Sequence, residues 1–198
     1  MNKVKSKKYE LFLDAAIALI EENGFDNTTV SQIVKRAGLA QGTFYLYFSS
    51  KAALAPGIAE RILQDAMARG EKQGLKQATQ SKAFFRGLIE LVFEITEKYQ
   101  QIITFLYSGM SYYHSLESWE AIYDPYYLWL EERFVKYQKT GELRRTMETS
   151  TMVQFTLGII EHSAETFYLF KRENGDVKKI KEDLLEYILS GCKENTKI

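Results

Sequence analysis

The chain has 198 residues, of which 45% are apolar, so it is long enough to bury a core of ordinary domain size. Lys and Arg together number 26, as do Asp and Glu, so the net charge does not indicate a polyanionic partner. No apolar run approaches the roughly 20 residues that cross a bilayer, and no signal-peptide pattern is present, which predicts a cytoplasmic protein with no membrane partner. The single cysteine, Cys192, excludes an intrachain disulfide, and we interpret it as a small buried apolar residue.

The spacing of apolar residues predicts helices almost throughout, with no sustained strand-like alternation. A first helix is predicted over about residues 5–23, and Gly24 ends it. Thr29 and Gln32 have the capping-box spacing, which predicts a short second helix that ends at Gly38.

A third helix is predicted from about Gln41 to Phe48, and a fourth runs from Lys51 towards Gly74. Pro56 falls inside the first turns of this predicted fourth helix, where it would remove a backbone hydrogen bond and kink the helix. Further helices are predicted over about residues 81–97, 99–108, 117–139, 149–172 and 176–193.

The stretch GLAQGTFYLYFSSK, from Gly38 to Lys51, places aromatic and polar side chains on different faces of the third helix. Phe44 and Phe48 are four residues apart, so we expect them to pack together on the first two helices. Gln41 and Tyr45 share another face and remain available to a partner. Two short helices joined by a sharp turn are typical of a helix-turn-helix, whose second helix enters the DNA major groove, where a glutamine amide pairs with adenine.

Positive charge clusters near this predicted recognition helix. Lys35 and Arg36 lie on the second helix, and Lys51 begins the fourth, where backbone N–H groups also favour a phosphate. For the lysines before the first helix, a phosphate contact and a solvated basic tail both remain open. These residues are Lys3, Lys5, Lys7 and Lys8.

The segment from Ala15 to Leu54 closely resembles the N-terminal DNA-binding domain of tetracycline-repressor (TetR) family regulators. The resemblance rests on GF before the Thr-capped second helix, on AG at its end, and on the run GTFYLYFSSK. It departs at Ala40, where the family often has Ser or Thr, so a helix cap is missing. The DNA contacts that the resemblance implies are Thr29, Gln41, Gly42, Thr43, Tyr45, Tyr47 and Lys51.

The resemblance implies an all-α fold with two domains. A three-helix helix-turn-helix domain for a double-stranded DNA operator would occupy residues 1–50. A larger helical domain for effector binding and dimerisation would occupy residues 51–198.

Aromatic residues are dense between Tyr99 and Tyr137. Ordinary core packing and a ligand cavity both remain open, since apolar cavities with a few hydroxyl or imidazole groups bind small molecules. We predict a small apolar or aromatic effector of unknown identity. The predicted effector-binding residues are Tyr107, Tyr113, His114, Trp119, Tyr123 and Tyr127.

No segment predicts catalysis. The chain lacks phosphate-binding glycine patterns, and Ser111 in GMSYY lacks the second glycine of a nucleophile elbow. His114 and His162 do not form a metal-ligand pair at helical spacing. We therefore predict a protein that is not an enzyme and that needs no cofactor or metal.

The last two predicted helices carry apolar stripes, for which an intrachain core and a subunit contact both remain open. In the resembled family the corresponding helices form a four-helix dimer interface, which implies a homodimer. The stripes comprise Met152, Phe155, Ile159 and Ser163 beside Gly158, and Val177, Ile180, Leu184, Ile188 and Gly191.

Together these features predict a ligand-responsive DNA-binding transcriptional regulator, a repressor released from a palindromic operator by its effector. A ligand-independent architectural DNA-binding protein is one alternative, and a helical enzyme is another.

Overall fold

A computed structural model describes residues 6–109, 116–170 and 176–193, with the side chains of residues 108–109 and 116–119 left undescribed. The predicted all-α fold is confirmed, because helices and turns make up these ranges and they contain no strand. The helices are α1 (Lys7–Asn23), α2 (Val30–Ala37), α3 (Gln41–Tyr45), α4 (Ala55–Lys72), α5 (Ser81–Lys98), α6 (Gln100–Gly109), α7 (Leu116–Thr140), α8 (Thr149–Tyr168) and α9 (Val177–Cys192).

The chain divides into two compact units. Unit 1 contains Met1–Ile62 and Tyr99–Ile122, and unit 2 contains Leu63–Lys98 and Tyr123–Ile198. Each unit therefore draws on two separate stretches of sequence, and α6 belongs to the unit that contains α1, α2 and α3. The predicted division at residue 50 stays a prediction.

Unit 1 is organised around an aromatic core. The ring centroid of Phe12, on α1, lies 5.3 Å from that of Phe44 and 6.2 Å from that of Phe48, and all three side chains are buried. The prediction that Phe44 and Phe48 anchor the recognition segment is therefore confirmed. The aromatic edge-to-face geometry adds to the free energy of apolar burial.

The turns that connect α1, α2 and α3 depend on the predicted capping residues. The Thr29 hydroxyl accepts a hydrogen bond from the backbone N–H of Gln32, and the Gln32 side chain accepts one from the N–H of Thr29, so the capping box is confirmed. Gly38 ends α2 with φ 66°, a left-handed conformation that favours glycine. Ala40 precedes α3 with no side-chain cap.

Two predicted helix boundaries were wrong. The α-helical part of the third helix ends at Tyr45, and the chain reaches Phe48 through a turn. The fourth helix begins with a 3₁₀ turn, Ala52–Leu54, before α4 starts at Ala55. Pro56 is thus the second residue of α4, and we expect no kink from it, because N–H groups in the first turn of a helix have no intrahelical acceptor.

Unit 2 is a helical bundle in which α5 packs against both α8 and α9. Its core includes three phenylalanines, with the ring centroid of Phe134 5.9 Å from that of Phe84 and 5.4 Å from that of Phe85. The Cys192 thiol is buried with its Sγ 3.8 Å from Thr156 Oγ1, as expected for a structural cysteine.

Candidate nucleic-acid interface and effector region

The segment that begins with α3 exposes one set of side chains while its phenylalanines stay in the core. Gln41, Gly42 and Tyr45 are exposed, and Thr43 is half-buried. Phe44 between them has no accessible surface. The buried ring therefore fixes the orientation of a short helix whose polar groups remain available to a partner.

Tyr47 is held by contacts to α1. Its hydroxyl oxygen accepts a hydrogen bond from Ser6 Oγ at 2.8 Å, and its ring centroid lies 6.3 Å from that of Tyr9. Because the phenolic hydrogen is not used in this bond, the Tyr47 hydroxyl can still donate to an acceptor such as a phosphate oxygen. Ser6 is the N-cap of α1, so this bond ties the start of α1 to the end of the recognition segment.

Thr29 combines a structural role with its predicted DNA contact. Its Oγ1 accepts from Gln32 N–H at 3.2 Å and donates to Gln32 Oε1 at 2.8 Å. The side chain remains exposed at the first turn of α2, but its hydroxyl proton is already used. The contact between Thr29 and DNA stays a prediction.

Lys51 joins two carbonyl groups at the turn between α1 and α2. Its Nζ donates to the carbonyl oxygens of Phe25 and Thr28, each at 2.6 Å, and lies 3.9 Å from the Phe25 ring centroid. Burial lowers the pKa of the Lys51 ammonium. One N–H of the ammonium group is left for the predicted phosphate contact.

Replacing Lys51 with alanine tests both of these roles. We expect Lys51→Ala to lower the free energy of unfolding by about 1.5–3 kcal/mol, because charge-assisted hydrogen bonds to two carbonyls are lost. If the ammonium also contacts a phosphate, DNA binding falls on all sequences and the slope of log K against log salt decreases in magnitude by about 1. Urea unfolding and salt titrations of DNA binding measure the two effects. An unchanged salt slope would remove Lys51 from the phosphate contacts.

Arg36 lies on the second helix, as predicted, and it forms an ion pair there. Its two terminal nitrogens each donate to a Glu22 carboxylate oxygen at 2.6 Å, in a bidentate pair between α2 and α1. The Arg36 guanidinium holds the pKa of Glu22 below its ordinary range. Glu22 therefore balances much of the Arg36 charge, which sequence spacing did not indicate.

The predicted effector residues are divided between the two units. Tyr107, on α6, is exposed and belongs to unit 1. Tyr123 and Tyr127, on α7, belong to unit 2, are half-buried, and have ring centroids 5.7 Å apart. Tyr113, His114 and the side chain of Trp119 lie outside the described residues. The assignment of these six residues to one effector site stays a prediction.

Unit 2 also contains a buried tyrosine and a half-buried glutamate that sequence analysis did not select. Tyr126, on α7, is buried and stacks on Trp129, with ring centroids 5.7 Å apart. Glu161, on α8, interacts electrostatically with the Tyr126 hydroxyl. Burial, with a smaller contribution from Glu165, raises the pKa of Glu161 to about 8. The sequence signal was a carboxylate directly after the apolar run LGII of α8.

An apolar surface lies on the last two helices. Phe155, Gly158 and Ile159 of α8 are exposed, as are Tyr187 and Gly191 of α9. We call these five residues the α8–α9 face. The predicted stripes contain residues of this face together with core residues. Met152, Leu184 and Ile188 are the core residues, since they are buried inside unit 2.

The described residues contain neither a membrane-spanning helix nor a cluster of metal ligands. In residues 6–109, 116–170 and 176–193, no helix is long and apolar enough to span a membrane. Among the same residues, His, Cys, Asp and Glu side chains form no group of three that would hold a metal ion.

Two family profiles match the chain. The profile described as bacterial regulatory proteins of the tetR family matches residues 12–57. The profile described as the tetracyclin repressor-like C-terminal domain matches residues 85–191.

Curated relatives from Bacillus subtilis strain 168 match over nearly the whole chain. The HTH-type transcriptional regulator YvdT is 39% identical over 95% of this chain and 96% of its own length. A fatty acid metabolism regulator protein is 26% identical, covering 96% of this chain and 97% of the relative.

Solved structures share the fold. FadR from Bacillus subtilis, in complex with stearoyl-CoA, superposes with a TM-score of 0.71 at 24% identity, covering 92% of this chain and 98% of FadR. FadR from Thermus thermophilus, in complex with lauroyl-CoA, gives a TM-score of 0.73 at 20% identity, with 96% and 98% coverage.

Proposed function

Since the chain belongs to the TetR family of bacterial transcriptional regulators and is a ligand-responsive DNA-binding repressor, we propose that it works as a homodimer released from a near-palindromic operator by an effector with a long apolar body. The observation that supports this proposal most directly is the recognition segment. There Phe44 is fully buried while Gln41 and Tyr45 are exposed to a partner.

The DNA contacts divide into two kinds. Gln41 would read a base edge in the major groove, because its amide can pair with adenine N6 and N7. Tyr47 and Lys51 would contact phosphates, which position the protein without reading sequence. Thr29, Gly42, Thr43 and Tyr45 would complete the surface that faces DNA.

The homodimer would form through the α8–α9 face. Phe155 is 60% exposed, although a phenylalanine gains free energy when it is removed from water. Gly158 and Gly191 lack side chains, so helices of a second subunit can approach closely. A two-fold dimer presents its recognition helices to two half-sites, which explains why the operator would be a near-palindrome.

The effector would have a long apolar body. The Bacillus subtilis and Thermus thermophilus FadR structures contain stearoyl-CoA and lauroyl-CoA, whose acyl chains are of this kind. In unit 2 of this chain, Tyr123 and Tyr127 offer half-buried aromatic surface for such a ligand. Effector binding would favour a conformation with low DNA affinity. The effector can shift this equilibrium only as far as it binds that conformation more tightly than the DNA-binding one.

The proposal places the protein in the cytoplasm, where the operator is, and assigns it no enzymatic activity. An architectural DNA-binding protein would bind DNA with the same affinity whether or not a ligand is present. A helical enzyme would turn over a substrate without needing DNA.

Selection of bound DNA from a random library, followed by operator titration, tests the proposal. We expect Gln41→Ala to cost about 1–3 kcal/mol at one base pair and to relax the preference there, because one side chain reads that position. Gln64→Ala, at an exposed glutamine on α4, is the control and should leave both affinity and preference unchanged. Equal losses on all DNA sequences for Gln41→Ala would remove Gln41 from base reading.

A further inference from the structure

Three side chains in unit 1 form a column in which one aromatic ring lies between a second ring and a cation. The ring of Phe105, on α6, stacks on that of Phe25, with ring centroids 3.7 Å apart and an angle of 17° between the ring planes. Lys51 Nζ lies over the same Phe25 ring, 3.9 Å from its centroid. Two groups this close to one centroid would overlap if they lay on the same face of the ring. Phe105 and the Lys51 ammonium therefore cover opposite faces of Phe25.

The position of the Lys51 ammonium is set by the turn that contains Phe25. Its Nζ donates to the carbonyl oxygens of Phe25 and Thr28, each at 2.6 Å. Thr28 is fully buried, and its hydroxyl donates to the carbonyl oxygen of Gly24 at 2.8 Å, which holds the turn itself. Two carbonyls and one face of the Phe25 ring thus determine the direction of the one ammonium N–H that is left.

The orientation of the Phe25 side chain depends on α6. Phe25 follows Gly24 and is only half-buried, and Asp26 and Asn27 after it are exposed. Phe105 is 3% exposed and comes from α6, which packs against α1. Directly overlaid rings are less favourable than offset or edge-to-face rings, but the cation on the other face of Phe25 attracts that ring and favours the column. Phe105 therefore covers one face of Phe25 and restricts its rotamers.

We propose that Phe105 is a positioning residue for DNA binding and that it acts on Lys51 through Phe25. By holding the Phe25 ring, Phe105 keeps the Lys51 ammonium against the two carbonyls, with its remaining N–H directed to a DNA phosphate. The inference rests on the phosphate contact of Lys51 in the proposed function. It extends the DNA-binding machinery to α6, which lies outside the residues 12–57 that match the tetR family profile.

Phe105→Leu in the full chain tests this inference, because leucine keeps an apolar side chain and removes the stacked ring. Salt titrations of operator binding report the number of phosphate contacts. We expect the slope of log K against log salt to decrease in magnitude by about 0.5–1, since one phosphate contact contributes about 1. At about 0.1 M salt this corresponds to an affinity about 3–10-fold lower. The loss should be equal on all DNA sequences, because a phosphate contact does not read bases.

A double-mutant cycle with Lys51→Ala distinguishes positioning of Lys51 from a general loss of structure. If Phe105 acts through Lys51, Phe105→Leu should change operator affinity by less than about twofold in a Lys51→Ala background, although it has its full effect in the unmodified chain. A general loss of structure would lower the affinity equally in both backgrounds. Equal losses of affinity, or an unchanged salt slope in Phe105→Leu, would overturn the inference.

Phe93→Leu is the matched control. Phe93, on α5 in unit 2, is also buried, and Lys181 Nζ lies 5.1 Å from the centroid of its ring. The same substitution there should leave the salt slope unchanged, because the predicted DNA contacts all belong to unit 1. If Phe93→Leu decreased the slope by the same amount, loss of any buried ring near a lysine would be sufficient for the effect, and the inference would be wrong.

Phe25→Leu is a second variant, which should fold even if Phe105→Leu does not, because Phe25 is half-buried. It removes both the stacked ring and the surface on which the ammonium lies, so its effect on the salt slope should be at least as large. Circular dichroism and urea unfolding identify the variants that are folded under the conditions of the titration. An unchanged slope in folded Phe25→Leu would overturn the inference, whatever the behaviour of Phe105→Leu.

Three results separate this inference from the proposed function. Failure of the unmodified chain to bind any operator would contradict the proposed function. A normal salt slope in Lys51→Ala would remove Lys51 from the phosphate contacts, and the positioning role of Phe105 would be lost with it. A reduced slope in Lys51→Ala together with a normal slope in Phe105→Leu would contradict the role of Phe105 alone.

Discussion

Phe44→Ala is expected to lower the free energy of unfolding by about 3–5 kcal/mol, because it removes a buried aromatic ring and leaves a cavity. The ring has no accessible surface, and its centroid lies 5.3 Å from both that of Phe12 and that of Phe48. Operator binding should fall as well, since the same ring fixes the orientation of α3. Urea unfolding, followed by circular dichroism, measures the first effect, and operator titration measures the second.

Leu46→Ala is the control for this prediction, because Leu46 lies two residues away and is 82% exposed. Truncating it should change the free energy of unfolding by less than about 0.5 kcal/mol. A Phe44→Ala protein that unfolds at the same urea concentration as the unmodified chain would contradict the assignment of Phe44 as the anchor of the recognition segment.

The structural features that were predicted correctly depend on local chemistry. The pair Thr29 and Gln32 specifies the start of α2 through hydrogen bonds between residues three apart, and Gly38 specifies its end through backbone conformation. Helices of unit 2 such as α5 and α8 begin at the predicted residues, because apolar periodicity over many turns indicates a helix strongly.

The features that sequence analysis missed involve contacts between residues distant in sequence. The α-helical part of the recognition segment ends at Tyr45, and packing of Phe48 on Phe12 holds the turn that follows. Lys51 donates to carbonyl groups more than 20 residues earlier in the chain, and Arg36 pairs with Glu22 across two helices. Spacing along the sequence does not specify such contacts.

The candidate ligand region was harder to predict than the DNA-binding segment. Aromatic residues serve equally as core and as ligand-binding surface, so composition alone does not separate the two roles. Tyr126 lies between the predicted residues Tyr123 and Tyr127 but turns into the core of unit 2.

If the proposed dimer forms through the α8–α9 face, Phe155→Asp combined with Ile159→Asp is expected to convert it to monomers and to lower operator affinity by about 100-fold or more. When two recognition helices are linked, binding of one half-site raises the effective concentration of the second helix at the other half-site. Avidity of this kind increases the affinity about 10²–10⁴-fold. Aspartate on the α8–α9 face would place charges in an apolar interface without partners. Within one subunit the side chains of Phe155 and Ile159 are exposed, so each subunit of the variant should still fold.

Sedimentation equilibrium measures the oligomeric state of this double variant, and operator titration measures its affinity. Leu128→Asp is the matched control, because Leu128 is an apolar side chain on α7 that is 62% exposed and lies outside the α8–α9 face. It should leave the dimer and the operator affinity unchanged. If the double variant stays dimeric and binds operator normally, another surface joins the subunits. If Leu128→Asp produces monomers instead, α7 carries the interface, and the exposed phenylalanine on α8 needs a different partner.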